Sequence, residues 1–328
     1  MTRIITADAL DGLKTLPDGC VDMCVTSPPY FCLRDYQIAG QIGLEETPEE
    51  YISRLVAVFR EVRRVLRDDG TLWVVIGDSY TSGNRKYRSP DKKTPARTMN
   101  NRPATPLGLK PKDLIGVPWL LAFALRADGW RLRQDIIVSK NNPMPESVKD
   151  RCTKSHEYLF LLSKSKRYYF DAEAIAEPVA EATIKRLNQN VASQAGSDRI
   201  PGKTNGPMKA VPPRFGGSKY GDVPDAHHRT KSGNPYHYKP KRNKRDVWSI
   251  STRPYKGAHF AVFPPDLVRP CILAGSRKGG VVLDPFLGSG TTAAVALEEG
   301  RECIGIELNP AYVELARERV RCVTMKLC

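Results

Sequence analysis

Apolar residues along this chain fall into two rhythms. Short apolar runs bounded by turn-forming residues, at 3–8, 21–26, 71–77, 131–138, 157–163, 281–283 and 302–307, read as strands. The central ones are apolar throughout, as strands covered on both faces must be. Between them apolar residues recur at helical spacing over 9–16, 114–126, 293–299 and 311–320. The clearest helix opens at Thr47-Pro48-Glu49-Glu50, with a capping hydroxyl, a proline in the first turn and two acids at the positive end of the helix dipole. Its apolar face takes Tyr51, Leu55, Val58, Phe59, Val62 and Leu66, and Asp68-Asp69-Gly70 is expected to stop it. Seven strands alternating with helices predict an α/β fold on a parallel or mostly parallel sheet.

Two of these strands end in unusual chemistry. The run at 21–26 leads into Ser27-Pro28-Pro29-Tyr30, where paired prolines remove backbone donors and hold the chain extended, so that carbonyl oxygens face outward beside an aromatic ring. Such a rim suits a flat molecule bearing an exocyclic amine, although a turn of this kind at a strand end is more often structural. The second strand runs through Val281-Val282-Leu283 into Asp284-Pro285-Phe286-Leu287-Gly288-Ser289-Gly290-Thr291-Thr292, a glycine turn entering a helix. Backbone and hydroxyl donors converge there on a helix N-terminus, which can hold a carboxylate or a phosphate. No lysine follows Gly290, against a phosphate-binding P-loop, and the third glycine of a dinucleotide fingerprint is missing. The next strand ends at Glu307, placed to accept hydrogen bonds from ribose hydroxyls.

At these residues the chain resembles the DNA amino-methyltransferases. Asp284 to Gly290 looks like their S-adenosylmethionine-binding motif and Thr26-Ser27-Pro28-Pro29-Tyr30 like their catalytic motif. The catalytic segment comes first, as in the group called beta. The resemblance covers 1 to about 170 and about 257 to 320. It implies a Rossmann-like fold of seven strands, circularly permuted. The strand missing after the helix at 311–320 is then supplied by residues 3–8. Closing the sheet this way sets Gly288 to Gly290, Glu307, Asp8 and Ser27 along consecutive strand ends. Asp8 becomes the expected partner of the cofactor's adenine amine, or an N-cap for the helix after it, or both. Asp284, Pro285, Phe286, Gly288, Ser289, Gly290, Thr291, Thr292, Glu307 and Asp8 are the implied cofactor residues. Ser27, Pro28, Pro29 and Tyr30 are the implied catalytic ones. Residues 259–267, a Phe-Pro-Pro turn entering a helix, look like the segment leading into the cofactor pocket, and residues 139–146 like one that shapes the target-base pocket. Arg151 is expected to meet a phosphate or a carboxylate, His156 to orient that pocket, and Trp130 to lie in the core.

Charge sharpens the domain picture. Residues 84–112 and 171–258 each net +8 against +15 for the chain, so the positive field belongs to two Pro-, Gly- and Asn-rich insertions. Tyr87, Tyr220, Tyr236, Tyr238 and Trp248 are interspersed among the basic residues, as in surfaces that stack and neutralise nucleic acid. We expect residues 1–170 to form the catalytic half with a DNA-ordered loop at 84–110, 171–256 a target-recognition region, and 257–328 the cofactor half. The eight cysteines form no C-x-x-C pair, and several sit in apolar strands, which points to reduced thiols in a cytoplasm and no metal site. No apolar run is long enough to span a membrane, and no secretory pattern opens the chain.

The implied reaction is methyl transfer to an amine of double-stranded DNA. The target base is flipped from the duplex, stacks on Tyr30 and donates its amino hydrogens to Ser27 and the Pro28 carbonyl. In this family serine at the first motif position is associated with N4 of cytosine, and Asp or Asn with N6 of adenine. Ser27 therefore favours cytosine, with adenine the alternative. An inactive DNA-binding protein on the same fold is the alternative of another class. A bacterial or phage origin, pairing with a cognate restriction endonuclease, and action as monomer or homodimer stay open.

Overall fold

The computed structural model describes residues 2–81, 105, 106, 108–143, 145–182, 241–251 and 264–327. Among these, ten strands and six helices follow in order: β1 Thr2–Thr6, α1 Ala9–Lys14, β2 Val21–Thr26, α2 Pro48–Val65, β3 Leu66–Ile76, α3 Val117–Ala127, β4 Arg131–Lys140, β5 His156–Ser163, β6 Glu177–Pro178, β7 Lys241–Arg242, β8 Val247–Ile250, α4 Pro265–Gly275, β9 Val281–Asp284, α5 Thr291–Glu298, β10 Glu302–Glu307 and α6 Pro310–Leu327. Eight strands form one sheet in the order β1-β10-β9-β2-β3-β5-β4-β8. All neighbours pair in parallel except at β5, which runs antiparallel to both β3 and β4. The carboxyl ends of β1, β10, β9 and β2 therefore lie side by side along one edge.

The sheet is covered on both faces, and β3 shows how. Leu72, Val74 and Ile76 enter a core built with α1, α2 and α3, while Trp73 and Val75 enter the other with α4, α5 and α6. This is the period-two alternation of a strand with two apolar faces. Tyr51, Leu55, Val58, Phe59 and Val62 of α2 are all buried against the first face, each contributing about 1.5–3 kcal/mol of hydrophobic stabilisation. Thr47 caps α2 by accepting from the Glu50 amide at 3.2 Å.

Three sequence expectations shift. Helix α2 stops at Val65, before Asp68-Asp69-Gly70, because Leu66 is already extended, buried and paired with Val21, so β3 begins there. Helix α3 begins at Val117: Gly116 adopts φ 83°, and its amide and that of Val117 donate to the Asp78 carboxylate, which caps the helix from a neighbouring loop. The sheet has eight strands instead of seven. Residues 247–250, assigned to the basic insertion, form β8 beside β4, with Val138 opposite Trp248. Trp248 is 4% exposed and its indole donates to the Arg245 carbonyl at 2.7 Å, so it is a core residue and not a stacking platform.

A second compact unit, Ala176–Lys244, is narrower than the expected 171–256. Its described part is the antiparallel pair β6–β7, with Glu177 opposite Arg242 and ion pairs from Glu177 to Arg242 and Lys244. Most of the 84–110 loop and of the target-recognition region, including Tyr87, Tyr220, Tyr236 and Tyr238, lies outside the described residues, as do 252–263. Among the described residues no helix is long and apolar enough to cross a membrane.

Candidate active site

One hydrogen bond ties the two sequence motifs together. Thr26, the last residue of β2 and wholly buried, donates its hydroxyl to Asp284 Oδ1 at 2.6 Å, across 258 residues of sequence. Thr292 donates to Asp284 Oδ2 at 2.6 Å, and the Phe286 amide to Oδ1 at 3.1 Å. Burial pushes the Asp284 carboxyl up to about 6, against the pull of these three donors. Asp284 is 1% exposed, so it fixes the loop from inside.

The loop bends through Gly288 (φ 55°) and Gly290 (φ 80°). A Cβ on Gly290 would stand 2.8 Å from that of Ala316, so here glycine also permits the loop to lie flat on α6. The Gly288 amide donates to Glu307 Oε2 and the Asn309 amide to Oε1, both at 2.8 Å. Burial raises the Glu307 carboxyl above its usual range, and the backbone donors oppose it. The Leu308 amide also bears on this carboxylate, which with about four acceptor sites keeps room for a ligand hydroxyl.

The loop hydroxyls are used within the protein. Thr292 is bound to Asp284, while Arg319 of α6 donates to Thr291 Oγ1 at 2.6 Å, Ser289 Oγ at 3.2 Å and the Ser289 carbonyl at 3.3 Å. Ser289, Thr291 and Thr292 are buried, as is Pro285, whereas Phe286 and Gly288 retain surface. Asp8 caps α1 through Oδ1, accepting from Leu10 at 2.8 Å and Asp11 at 3.4 Å, so the N-cap reading is the one the fold displays; its Oδ2 takes no part in the cap.

The Ser27–Tyr30 turn is braced on three sides. The Tyr51 hydroxyl donates to the Pro29 carbonyl at 2.8 Å, and among the described residues no hydrogen bond reaches that of Pro28. Gly43 lies so close that a Cβ there would come within 3.1 Å of the Tyr30 carbonyl. Behind the Tyr30 ring is the backbone of Gly77, at the end of β3: a Cβ on Gly77 would stand 2.7 Å from Tyr30 Cε2. Burial, then the nearby Glu157 charge, holds the Tyr30 phenol well above its ordinary range.

Around this turn the start of β5 and the end of β4 add charge. Lys140 pairs with Glu157, and Lys154 donates to the Asp78 carbonyl at 2.6 Å, its ammonium lowered by burial. Arg151 meets a carboxylate, Glu146, and stacks over Tyr80 at 4.1 Å. His156 sets its ring edge-on to Tyr158, centroids 5.4 Å apart. Asn141 bonds Ser251 across the β4–β8 edge at 3.1 Å. Trp130 is buried. Beside Glu307, Tyr36 meets Tyr312 edge-on at 6.3 Å, forming an aromatic wall.

Sequence reasoning missed Gly77, Glu157, Arg319 and the Tyr36–Tyr312 pair, and gave Thr26 and Lys140 no role of their own within the segments it singled out. Tyr312, Ala316 and Arg319 lie on one helical stripe, a signal that means something only once α6 is known to cover the glycine loop. A separate pocket of about 620 Å³, lined by Asp18, Arg60, Arg63, Arg64, Asp68 and Lys164 among others, sits at the opposite sheet edge; Arg60, Arg64 and Lys164 are already ion-paired there.

A sheet that gathers an acid, a glycine turn and a rigid polar rim at the carboxyl ends of adjacent parallel strands is the layout of a doubly wound α/β enzyme handling a nucleotide-like ligand. The chain belongs to the DNA methylase family of N6/N4 type, whose sequence profile matches residues 21–318. It is 49% identical over 318 residues to the type II methyltransferase M.Cfr9I of Citrobacter freundii, covering 97% of this chain and 87% of that one. It is also 49% identical to M.SmaI of Serratia marcescens, covering 97% and 90%. Among solved structures, the PvuII DNA methyltransferase (cytosine-N4-specific) superposes with TM-score 0.58 at 17% identity, covering 99% of this chain and 92% of that one. A DNA modification methylase of Thermus thermophilus, complexed with S-adenosyl-L-methionine and itself named only as putative, superposes with TM-score 0.57 at 22% identity over 98% and 94%. These two likenesses establish the fold.

Proposed function

We propose that this protein methylates the exocyclic N4 amine of a flipped cytosine in double-stranded DNA, with S-adenosylmethionine as donor, as the modification enzyme of a bacterial restriction system. The observation that carries the reading is the Thr26–Asp284 bond, which holds the Ser27-Pro28-Pro29-Tyr30 rim beside the glycine loop. The residues present fit the cofactor. Glu307 keeps acceptor capacity beside an aromatic wall, Gly288 approaches with no side chain, and Asp8 keeps Oδ2 beyond its cap. The cofactor supplies a methyl group activated on a sulfonium. The chain's own work is to position.

In this reading Glu307 holds the ribose and Asp8 the adenine. Phe286 and the backbone of Gly288 line the remainder of the cofactor pocket, with Ser289, Gly290, Thr291 and Thr292 shaping it from within. Tyr30 backs the target base against Gly77, and Ser27 and the Pro28 carbonyl accept its amino hydrogens. Preference for cytosine rests on Ser27. The basic loop at 84–110 and the target-recognition region at 171–256 supply the DNA contacts, which their charge supports. The relatives at 49% identity are named as type II methyltransferases, which supports pairing with an endonuclease. Digestion of DNA from expressing cells to nucleosides, followed by mass analysis, tests the reading. N4-methylcytosine is expected; N6-methyladenine would move the assignment to the alternative base, and neither would overturn it.

A further inference from the structure

Residues 31–45, which follow the Ser27–Tyr30 rim and belong to neither motif, are fastened more firmly than a connection to α2 requires. The neck closes just past Tyr30, where the Cys32 amide donates to the Gly43 carbonyl at 2.8 Å. Inside it, the buried Gln41 side chain accepts from the Tyr36 amide at 2.8 Å and donates to the Arg34 carbonyl at 3.2 Å. Arg54 of α2 pins the same turn by donating to the carbonyls of Gly40 and Gln41 at 2.8 and 3.2 Å. Gln37 is held at φ 58° although it is not glycine, and its amide donates to Asp35 Oδ1 at 2.7 Å. A left-handed conformation at such a residue persists only where the surroundings enforce it. What these bonds hold in place is the residue between them, Tyr36.

Tyr36 reaches the Glu307 corner through a continuous set of contacts. Its ring meets that of Tyr312 edge-on, centroids 6.3 Å apart. Tyr312, in the first turn of α6, donates its amide to the Asn309 carbonyl at 3.0 Å, and the Asn309 amide donates to Glu307 Oε1 at 2.8 Å. On the other side the Ala7 amide donates to the Glu307 carbonyl at 3.1 Å, which sets Asp8 at the neighbouring strand end. An edge-on pair covers a face of only one of its rings, and both tyrosines are half-buried. Aromatic surface beside two carboxylates that accept from hydroxyls and amines is what a nucleoside requires. We propose that Tyr36 is a cofactor-binding residue whose ring stacks on the adenine of S-adenosylmethionine, backed by Tyr312, and that Gln41 is the positioning residue that holds it there. This rests on the functional reading above for the places of Glu307 and Asp8, and it gives the loop leaving the catalytic rim a part in gripping the cofactor.

The test is calorimetry of the full-length protein with S-adenosylhomocysteine, beside transfer of labelled methyl groups to unmethylated genomic DNA. Tyr36→Ala should raise the dissociation constant about tenfold, the scale of losing one base–aromatic stack. Its kcat at saturating cofactor should change by less than about threefold, because the ring grips the end of the cofactor remote from the methyl group. Tyr36→Phe keeps the flat face and should bind within about twofold of wild type. Tyr36→Leu is apolar without being flat; it should behave as Tyr36→Ala does, and it decides should that variant fail to fold. Gln41→Ala should weaken binding by a smaller factor and add nothing in the Tyr36→Ala background, whereas a further loss there would remove its positioning role. Wild-type affinity in Tyr36→Ala and Tyr36→Leu, or a loss in Tyr36→Phe as large as theirs, would overturn the stack. Glu307→Ala separates this from the reading beneath it. Weakened binding there beside an unaffected Tyr36→Ala would sink the stack alone, and unchanged binding in Glu307→Ala would displace the pocket and the proposal with it.

Discussion

A carboxylate buried as completely as Asp284 holds its proton to higher pH than it would in the unfolded chain, and that difference is measurable. With the folded group pushed up to about 6 and the unfolded one near 3.8, the folded state binds the extra proton between those values. Asp284 therefore favours folding most below pH 4, and its contribution declines as pH rises to about 6 and is flat beyond, a change on the order of 2–3 kcal/mol. Asn at 284 has no proton to lose. The stability advantage of wild type over Asp284→Asn, from urea unfolding at pH 4 and pH 7, should thus shrink with rising pH; a gap that widens would mean that Thr26 and Thr292 stabilise the ion more than burial penalises it. Gly77 gives a second residue-scale prediction. An Ala Cβ 2.7 Å from the Tyr30 ring must push it outward. Gly77→Ala should lower kcat on the order of a hundredfold and also lower the melting temperature, since the Tyr30 ring it displaces is half-buried against the first core.

Helix α6 does more for the glycine loop than cover it. Ala316 sets how closely Gly290 approaches, and Arg319, one turn on, gathers Ser289 and Thr291. Truncation to Arg319→Ala should release the loop and raise the dissociation constant for S-adenosylmethionine by about tenfold, measured by calorimetry, with kcat at saturating cofactor largely kept. Arg319→Lys should recover part of the loss, because one ammonium can replace one of the three bonds. Legibility also divides at this scale. Strands such as 21–26 and 302–307 were readable because burial on both faces leaves little that is polar in them. The four residues of β8 were not, since Val-Trp-Ser-Ile is short and sits in a basic stretch whose composition speaks louder than its periodicity. The site motifs were readable as spacing, but where each hydroxyl goes depended on partners arriving from other elements: Arg319 for the loop, Asp284 for Thr26 and Thr292. Asp78 is the same case, for no local pattern says that it will cap α3.

For the molecule as a whole, the insertion leaves and rejoins the chain at two neighbouring points. Pairing of β6 with β7 brings residues 178 and 241 opposite each other. A short Gly-Ser linker replacing 183–240 should therefore leave a folded, cofactor-binding protein, checked by melting with and without S-adenosylmethionine, while specific DNA affinity falls by tenfold or more. In the intact protein log affinity should fall steeply with log salt, and a flat plot would exclude the basic stretches from DNA contact. The permuted order of the sheet has a consequence for how the protein is made. Strand β1 pairs with β10, Thr2 opposite Cys303, and β2 waits for β9 on the same side. A ribosome releases these partners long after β1 and β2, so a nascent chain carries two unpaired strand edges until β9 and β10 emerge. Chaperone demand should be high and premature termination products should aggregate. The cell gains something in return, because a chain that stops early cannot assemble the loop beside the rim and cannot mark DNA.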